Sequence, residues 1–194
     1  MTKKGLSEIV LVVDKSSSMS HLTQETIRNI ANFIQEQKDV KGEAKFTLLY
    51  FDDEYDLRIF RQDLKDVSTK QDYRTRGSTA LRDALGTIID RIGGELRRIP
   101  ENDRPDHVIV CTITDGLENA SQKYSNTQLK SMIDVQRNVF NWTFIFMGAE
   151  EASLVQAQSW GIPQDLTLNY VADSRGLESS YGILSTTTKS LRSS

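Results

Sequence analysis

Three short stretches of the chain carry side chains that could do chemistry together. Asp14-Lys15-Ser16-Ser17-Ser18 offers a carboxylate followed by hydroxyls, Gly77-Ser78-Thr79 adds hydroxyls, and Thr114-Asp115-Gly116 adds a second carboxylate. Asp14, Ser16, Ser18, Thr79 and Asp115 form an all-oxygen donor set, which suits a hard divalent cation such as Mg²⁺ or Mn²⁺. Each stretch has a plainer reading when taken alone. Ser and Asp ahead of a helix satisfy its free amides, Thr79 could do the same, and Thr-Asp-Gly makes a turn. Around Thr79 lie Lys70, Arg74, Arg76 and Arg82, which read either as a plain solvated loop or as a basic rim suited to an acidic surface or a phosphate group. Arg74, Arg76 and Glu118 are the rim positions expected to meet a partner.

The elements that must position these residues follow from hydropathy. Ile9–Val13, Val108–Ile113 and Thr143–Met147 are continuous apolar runs, the pattern of strands buried on both faces of a parallel sheet. Between them, Ile27, Ile30, Ala31 and Ile34 share one helical face, as do Leu81, Leu85, Ile88, Ile92 and Leu96. Leu129, Met132 and Ile133 predict a further helix, and Leu177, Tyr181, Leu184 and Leu191 predict a last one. Phe46–Phe51 and Leu57–Phe60 are separated by only Asp52–Asp56, a link that permits a hairpin and no crossover, so one strand is expected to be antiparallel at an edge. Leu166–Val171 reads as the final strand. Alternation of strand and helix predicts an α/β domain with a mainly parallel sheet. Ligands of such sheets gather beyond the carboxyl ends of the strands, where the three oxygen-rich stretches stand.

Composition narrows the function further. The 194 residues carry 27 acidic and 24 basic side chains, a net charge of −3, which argues against a dedicated nucleic-acid binder. The single cysteine, Cys111, excludes an intramolecular disulfide and a cysteine metal cluster, and its place in an apolar run reads as core. Ile9–Val13 is too short for a signal-peptide core or a membrane span. The expectation is one domain over residues 1–194, without membrane or nucleic-acid partners, in the cytoplasm. Trp142 and Trp160 read as packing residues, and His21 and His107 receive no role. Asp52–Asp56 reads as a solvated hairpin tip.

Asp14-x-Ser16-x-Ser18, Thr79 within Gly77–Leu85, and Thr114-Asp115-Gly116 together resemble the three motif elements of the von Willebrand factor type A (VWA) domains, in order and over nearly the whole chain. Arg104-Pro105-Asp106, Glu118-Asn119-Ala120-Ser121 and Met147-Gly148-Ala149 are similar to segments of the compact single-domain members found in bacteria and their phages. The resemblance implies a doubly wound sheet of six strands, one edge strand antiparallel, with helices on both faces. It also implies a metal-ion-dependent adhesion site (MIDAS). There Ser16, Ser18 and Thr79 would ligate the ion through hydroxyls, and Asp14 and Asp115 directly or through water. Ser17 stands where the family often has Gly, and its side chain is expected to point away from the ion.

A cation held this way keeps electrophilic character when its carboxylates act through water. The expected partner is therefore a protein offering a Glu or Asp carboxylate. Two other classes compete. A phosphoester-processing enzyme that uses Asp14 as nucleophile would want a second Asp at the position of Ser16. Hydrolase elbows and nucleotide loops are missing from the sequence. No general base adjoins the hydroxyls, so the expectation is a module without catalytic activity. In the third class, a scaffold, the metal would only brace the loops.

Overall fold

The computed structural model describes residues 2–194. Six strands, β1 (Lys3–Asp14), β2 (Glu43–Phe51), β3 (Tyr55–Asp63), β4 (Pro105–Thr114), β5 (Thr143–Gly148) and β6 (Thr167–Asn169), form one sheet in the order β3-β2-β1-β4-β5-β6. Every neighbouring pair is parallel except β2 and β3, the hairpin at one edge. Five helices complete the chain: α1 (Thr23–Lys38), α2 (Leu81–Arg98), α3 (Asn126–Phe140), α4 (Glu151–Ser159) and α5 (Ser174–Arg192).

Strand alternation divides the core in two. Ile9, Leu11 and Val13 of β1 pack with Ile30 and Phe33 of α1 and Leu184 of α5. Val10 and Val12 point to the other face, against Leu85 and Ile92 of α2, Ile133 of α3 and Trp160. A strand covered on both sides has no exposed face to show, which is why the Ile9–Val13 stretch of β1 reads as an unbroken apolar run.

Two expectations are corrected. The last strand is shorter than Leu166–Val171, because only Phe146, Met147 and Gly148 of β5 pair with it. Helix α4 was not expected: its sequence, Glu151–Ser159, has no sustained apolar face and buries only Ser153 and Ala157. A short helix held mainly by its small buried face leaves little periodic signal.

The chain leaves β1 towards β2 on one side, and β4 returns on the other, so the strand order reverses between β1 and β4. Connections diverge there and open a crevice above the strand ends. In register, Val13 lies beside Ile113, Asp14 beside Phe51, and Thr114 beside Gly148. Asp14 and Asp115 thus flank the crevice at the ends of adjacent strands.

Candidate metal site

Asp14 is the deepest of the expected ligands and is fully buried. One carboxylate oxygen accepts the Ser16 N–H at 2.7 Å, and the other accepts the Thr114 hydroxyl at 2.6 Å. Burial raises its pKa to about 6, although these bonds pull it down. Asp115 is mostly buried, and burial raises its pKa too, while its Oδ1 accepts the Ser18 hydroxyl at 2.5 Å. The Ser16 and Ser18 hydroxyls are 3.1 Å apart. Ser17 is exposed, and its N–H donates to the Gly77 carbonyl at 3.1 Å, tying the first loop to the second.

Thr79 arrives from the other side. Its Oγ1 and the Ser18 Oγ both lie within 4 Å of the point where a side chain on Gly116 would begin. Glycine at that position leaves open the space between the hydroxyls. The backbone of Thr79 is held at both ends: its N–H donates to Asn119 Oδ1 at 2.9 Å, and its carbonyl accepts from the Asn119 and Ala120 amides. All five residues therefore cluster beyond the ends of β1 and β4.

The plainer capping readings do not describe these hydroxyls. Ser16 precedes a 3₁₀ turn (Ser17–Leu22) without a side-chain cap, and the cap position of α2 is Ala80, not Thr79. The first amides of α2 are met from a distant loop: Arg82 N–H donates to Glu118 Oε2 at 2.8 Å and Asp83 N–H to the Ser121 hydroxyl at 3.0 Å. A carboxylate at a helix N-terminus is favoured by the helix dipole as well as by the free amides.

That finding corrects the expected rim. Glu118 also accepts from the Ala120 amide and from the Ser121 amide and hydroxyl, and its side chain is 2% exposed. It is an internal brace with almost no side-chain surface to offer a partner. Arg82 is likewise occupied, donating to the Tyr124 and Ser121 carbonyls. Arg74 is exposed, with Asp72 3.5 Å away. Arg76 is half-exposed and lies against Asp52 and Glu54.

Several supporting residues were not expected. Asp52 is fully buried at the end of β2, not solvated, with Lys15 Nζ at 3.5 Å and Arg76 Nε at 2.9 Å from its Oδ2. Lys15 also reaches Asp56 at 3.3 Å, so the side chain beside Asp14 turns towards the hairpin. Tyr73 donates to the Asp14 carbonyl at 2.5 Å, and Tyr170 donates to the Thr114 carbonyl at 3.1 Å. His21 bridges two loops, with ring nitrogens 2.8 Å from the Ser18 carbonyl and 3.0 Å from the Ala172 carbonyl. Only Thr114, adjoining Asp115 at a strand end, carried a sequence signal. The others come from loops whose sequence does not say where they fold back.

Cys111, Trp142 and Trp160 are core residues as expected, with Trp160 also donating to Asn126 Oδ1 at 2.9 Å. Among the described residues no group of three or more His, Cys, Asp or Glu side chains gathers, so any cation here would rely on hydroxyls beside the two carboxylates. No helix among them is long and apolar enough to cross a membrane.

No family model and no curated protein matches the sequence. Solved structures do match in fold. Proximal thread matrix protein 1 from the mussel byssus superimposes with a TM-score of 0.68 at 15% identity, covering 96% of this chain and 47% of that one. Another structure of that protein, with a zinc-occupied MIDAS motif, gives 0.64 at 16% identity over 96% of this chain and 46% of that one. A von Willebrand factor type A protein from Catenulispora acidiphila gives 0.62 at 16% identity over 96% and 43%. The pilus adhesin SpaC from Lactobacillus rhamnosus GG gives 0.70 at 13% identity over 96% and 31%. The chain spans less than half the length of each of these proteins. With a sheet of five parallel strands and one antiparallel edge strand, and near-complete superposition on these structures, the chain has the fold of a von Willebrand factor type A domain.

Proposed function

We propose that the chain is a metal-dependent protein-binding module without catalytic activity, in which a divalent cation, Mg²⁺ or Mn²⁺, recruits an acidic residue of a partner protein. One observation carries the reading: the Ser18 hydroxyl meets Asp115 and lies 3.1 Å from the Ser16 hydroxyl, the Ser16 amide meets Asp14, and Thr79 Oγ1 and Ser18 Oγ both lie beside Gly116, while other residues cap the neighbouring helix. Both carboxylates have raised affinity for protons because burial leaves their charge poorly compensated. A cation answers the same deficit, so the donor set fits a hard divalent ion.

In this reading Ser16, Ser18 and Thr79 supply hydroxyl ligands, and Asp14 and Asp115 balance the charge directly or through water. Bound there, the ion supplies a Lewis-acidic position for a carboxylate oxygen. The chain's own contribution is preorganisation. Thr114 and the Ser16 amide orient Asp14, Asn119 sets the Thr79 backbone, and Tyr73 and Tyr170 pin the strand ends. Gly116 keeps the approach clear. Arg74 and Arg76 belong to the loop before Thr79, but each already faces carboxylates of the chain, Asp72 for the first and Asp52 and Glu54 for the second, so steering of an acidic surface by this rim would be weak. The zinc-occupied MIDAS motif of the byssus protein supports a divalent ion in this fold.

The test has two steps. Calorimetric titration with Mg²⁺ and Mn²⁺ is expected to give one saturable site, absent in Asp14→Ala. Capture of partners from host extract in Mg²⁺ is expected to be lost in EDTA and in Asp14→Ala. Lower thermal stability in EDTA with capture unchanged would instead assign the ion a bracing role. Metal-dependent phosphoester hydrolysis lost in Asp14→Ala would identify an enzyme.

A further inference from the structure

A cleft of about 220 Å³ lies at the opposite end of the molecule from the metal site. Its walls are the last turn of α1, the turn into β2, the end of β3 with the 3₁₀ turn after it, and the last turn of α5. Three cations line it, Lys38, Lys65 and Arg192, together with two carboxylates, Glu43 and Asp63. The acids already have partners: Glu43 pairs with Lys3 at 2.8 Å, and Asp63 with Lys45 at 2.7 Å. Among the described residues, none of the three cations has a carboxylate within 4.0 Å. Lys38 Nζ donates to the Val67 carbonyl at 2.6 Å, and Lys65 is exposed at the rim.

Arg192 is the unusual member. It is 6% exposed, and its hydrogen bonds run through Nη1, to the Gln37 carbonyl at 2.6 Å and Gln37 Oε1 at 3.3 Å. Those bonds cap the end of α1, where a cation suits the helix dipole. Capping leaves Nε buried without a partner and the charge without a counter-ion. Burial lowers the pKa of the group, yet a guanidinium stays charged in a protein. A buried charge with no opposite charge is costly, and an anion in the cleft would offset that cost.

We propose that this cleft binds a phosphate group, with Arg192 meeting the oxyanion and Lys38 and Lys65 adding charge around it. With Glu43 and Asp63 held by Lys3 and Lys45, the three cations along the cleft leave it an excess of positive charge, which favours a dianion over a single carboxylate, and a guanidinium with ammonium groups nearby matches phosphate oxygens. The volume is below the roughly 300–1,000 Å³ of drug-sized pockets, so the ligand is inorganic phosphate or the phosphate of a small monoester.

The experiment is ¹⁵N NMR of the full chain in EDTA, which keeps the metal site out of the measurement. Inorganic phosphate and glycerol phosphate are titrated separately, with sodium chloride at equal ionic strength as control. Saturable shifts are expected at the Gly42 and Lys65 amides and at Arg192 Nε–H. Arg192→Lys is expected to weaken binding about tenfold, the effect of losing one charge-assisted bond, and Lys65→Ala several-fold. Saturation by both ligands assigns the cleft to phosphomonoesters, and saturation by inorganic phosphate alone assigns it to the free ion. Should Arg192→Lys fail to fold, Lys65→Glu at the exposed rim carries the same test. No saturable shift, an equal response to chloride, or an affinity indifferent to these substitutions overturns the proposal.

Discussion

Strand β1 carries two fully buried carboxylates, Glu8 in its middle and Asp14 at its end, and the chain treats them differently. Glu8 has its cation built in: Arg61 Nε of β3 donates to Glu8 Oε2 at 3.0 Å. The guanidinium is delivered by a bulge in which Arg61 takes a positive φ of 48° and its N–H donates to the Thr47 hydroxyl at 3.0 Å. Asp14 is answered only by a backbone amide and hydroxyls. Burial nonetheless raises both pKa values, Glu8 to about 7 against the pull of Arg61 and Asp14 to about 6. Proton affinity alone therefore does not single out a ligand site. The surroundings do: one carboxylate faces a cation of its own chain, and the other faces neutral oxygens at an open crevice.

The largest effect that could break this contrast is on metal affinity. Asp14→Ala is expected to weaken Mg²⁺ and Mn²⁺ binding by about 100-fold or more, at least the loss that follows removal of residues supporting a metal ligand. Glu8→Gln should leave the same titration unchanged, and equal losses in the two variants would erase the distinction drawn here. Thr79→Ala is expected to stay folded and to lose about tenfold in metal affinity, again by calorimetry.

Stability tests the other member. Arg61→Ala leaves Glu8 buried without its partner, and urea unfolding at pH 8 is expected to show a loss of about 3 kcal/mol. At pH 5, where Glu8 is protonated, the loss should shrink.

The sign of the pH dependence follows from the raised values. A carboxyl whose folded pKa lies above its unfolded one binds its proton more tightly in the native state. Its contribution is complete below the unfolded pKa and is lost as pH rises through the folded one. For Glu8 that window runs from about 4.5 to about 7, and for Asp14 from about 4 to about 6. Thermal unfolding without metal should thus fall across these ranges. In Glu8→Gln the decline should end near pH 6, and a curve superimposable on that of the parent protein would refute the assignment.

The smallest expected effect belongs to Asp14→Asn in EDTA. With no cation to bind, removing a buried charge close to Asp115 should leave the melting temperature at pH 7.5 equal to or slightly above that of the unaltered chain.

Most of the fold was legible because it rests on periodicity. The runs at Ile9, Val108 and Thr143 are almost wholly apolar since both faces of the sheet are covered, and the short Asp52–Asp56 link forced the hairpin. The oxygen-bearing stretches at Asp14 and Asp115 were legible for a related reason: strand ends place short polar stretches at one edge of the sheet. Helix α4 escaped because a helix with two small buried residues has almost no apolar stripe. Glu118 misled because an acidic residue after Asp115 reads as exposed, while its use is to cap α2, 36 residues earlier in sequence.

The sequence by itself determined the alternation of strand and helix, the character of the core and the donor chemistry at the strand ends. These depend on residue type and local spacing, which a linear chain displays. Only the tertiary structure decided which charges meet: Arg61 with Glu8, Lys15 and Arg76 with Asp52, Arg192 with the end of α1. Charge pairing is set by contacts across tens of residues, and the energy of each depends on how completely water is excluded from it. Neither quantity is written in the order of the amino acids.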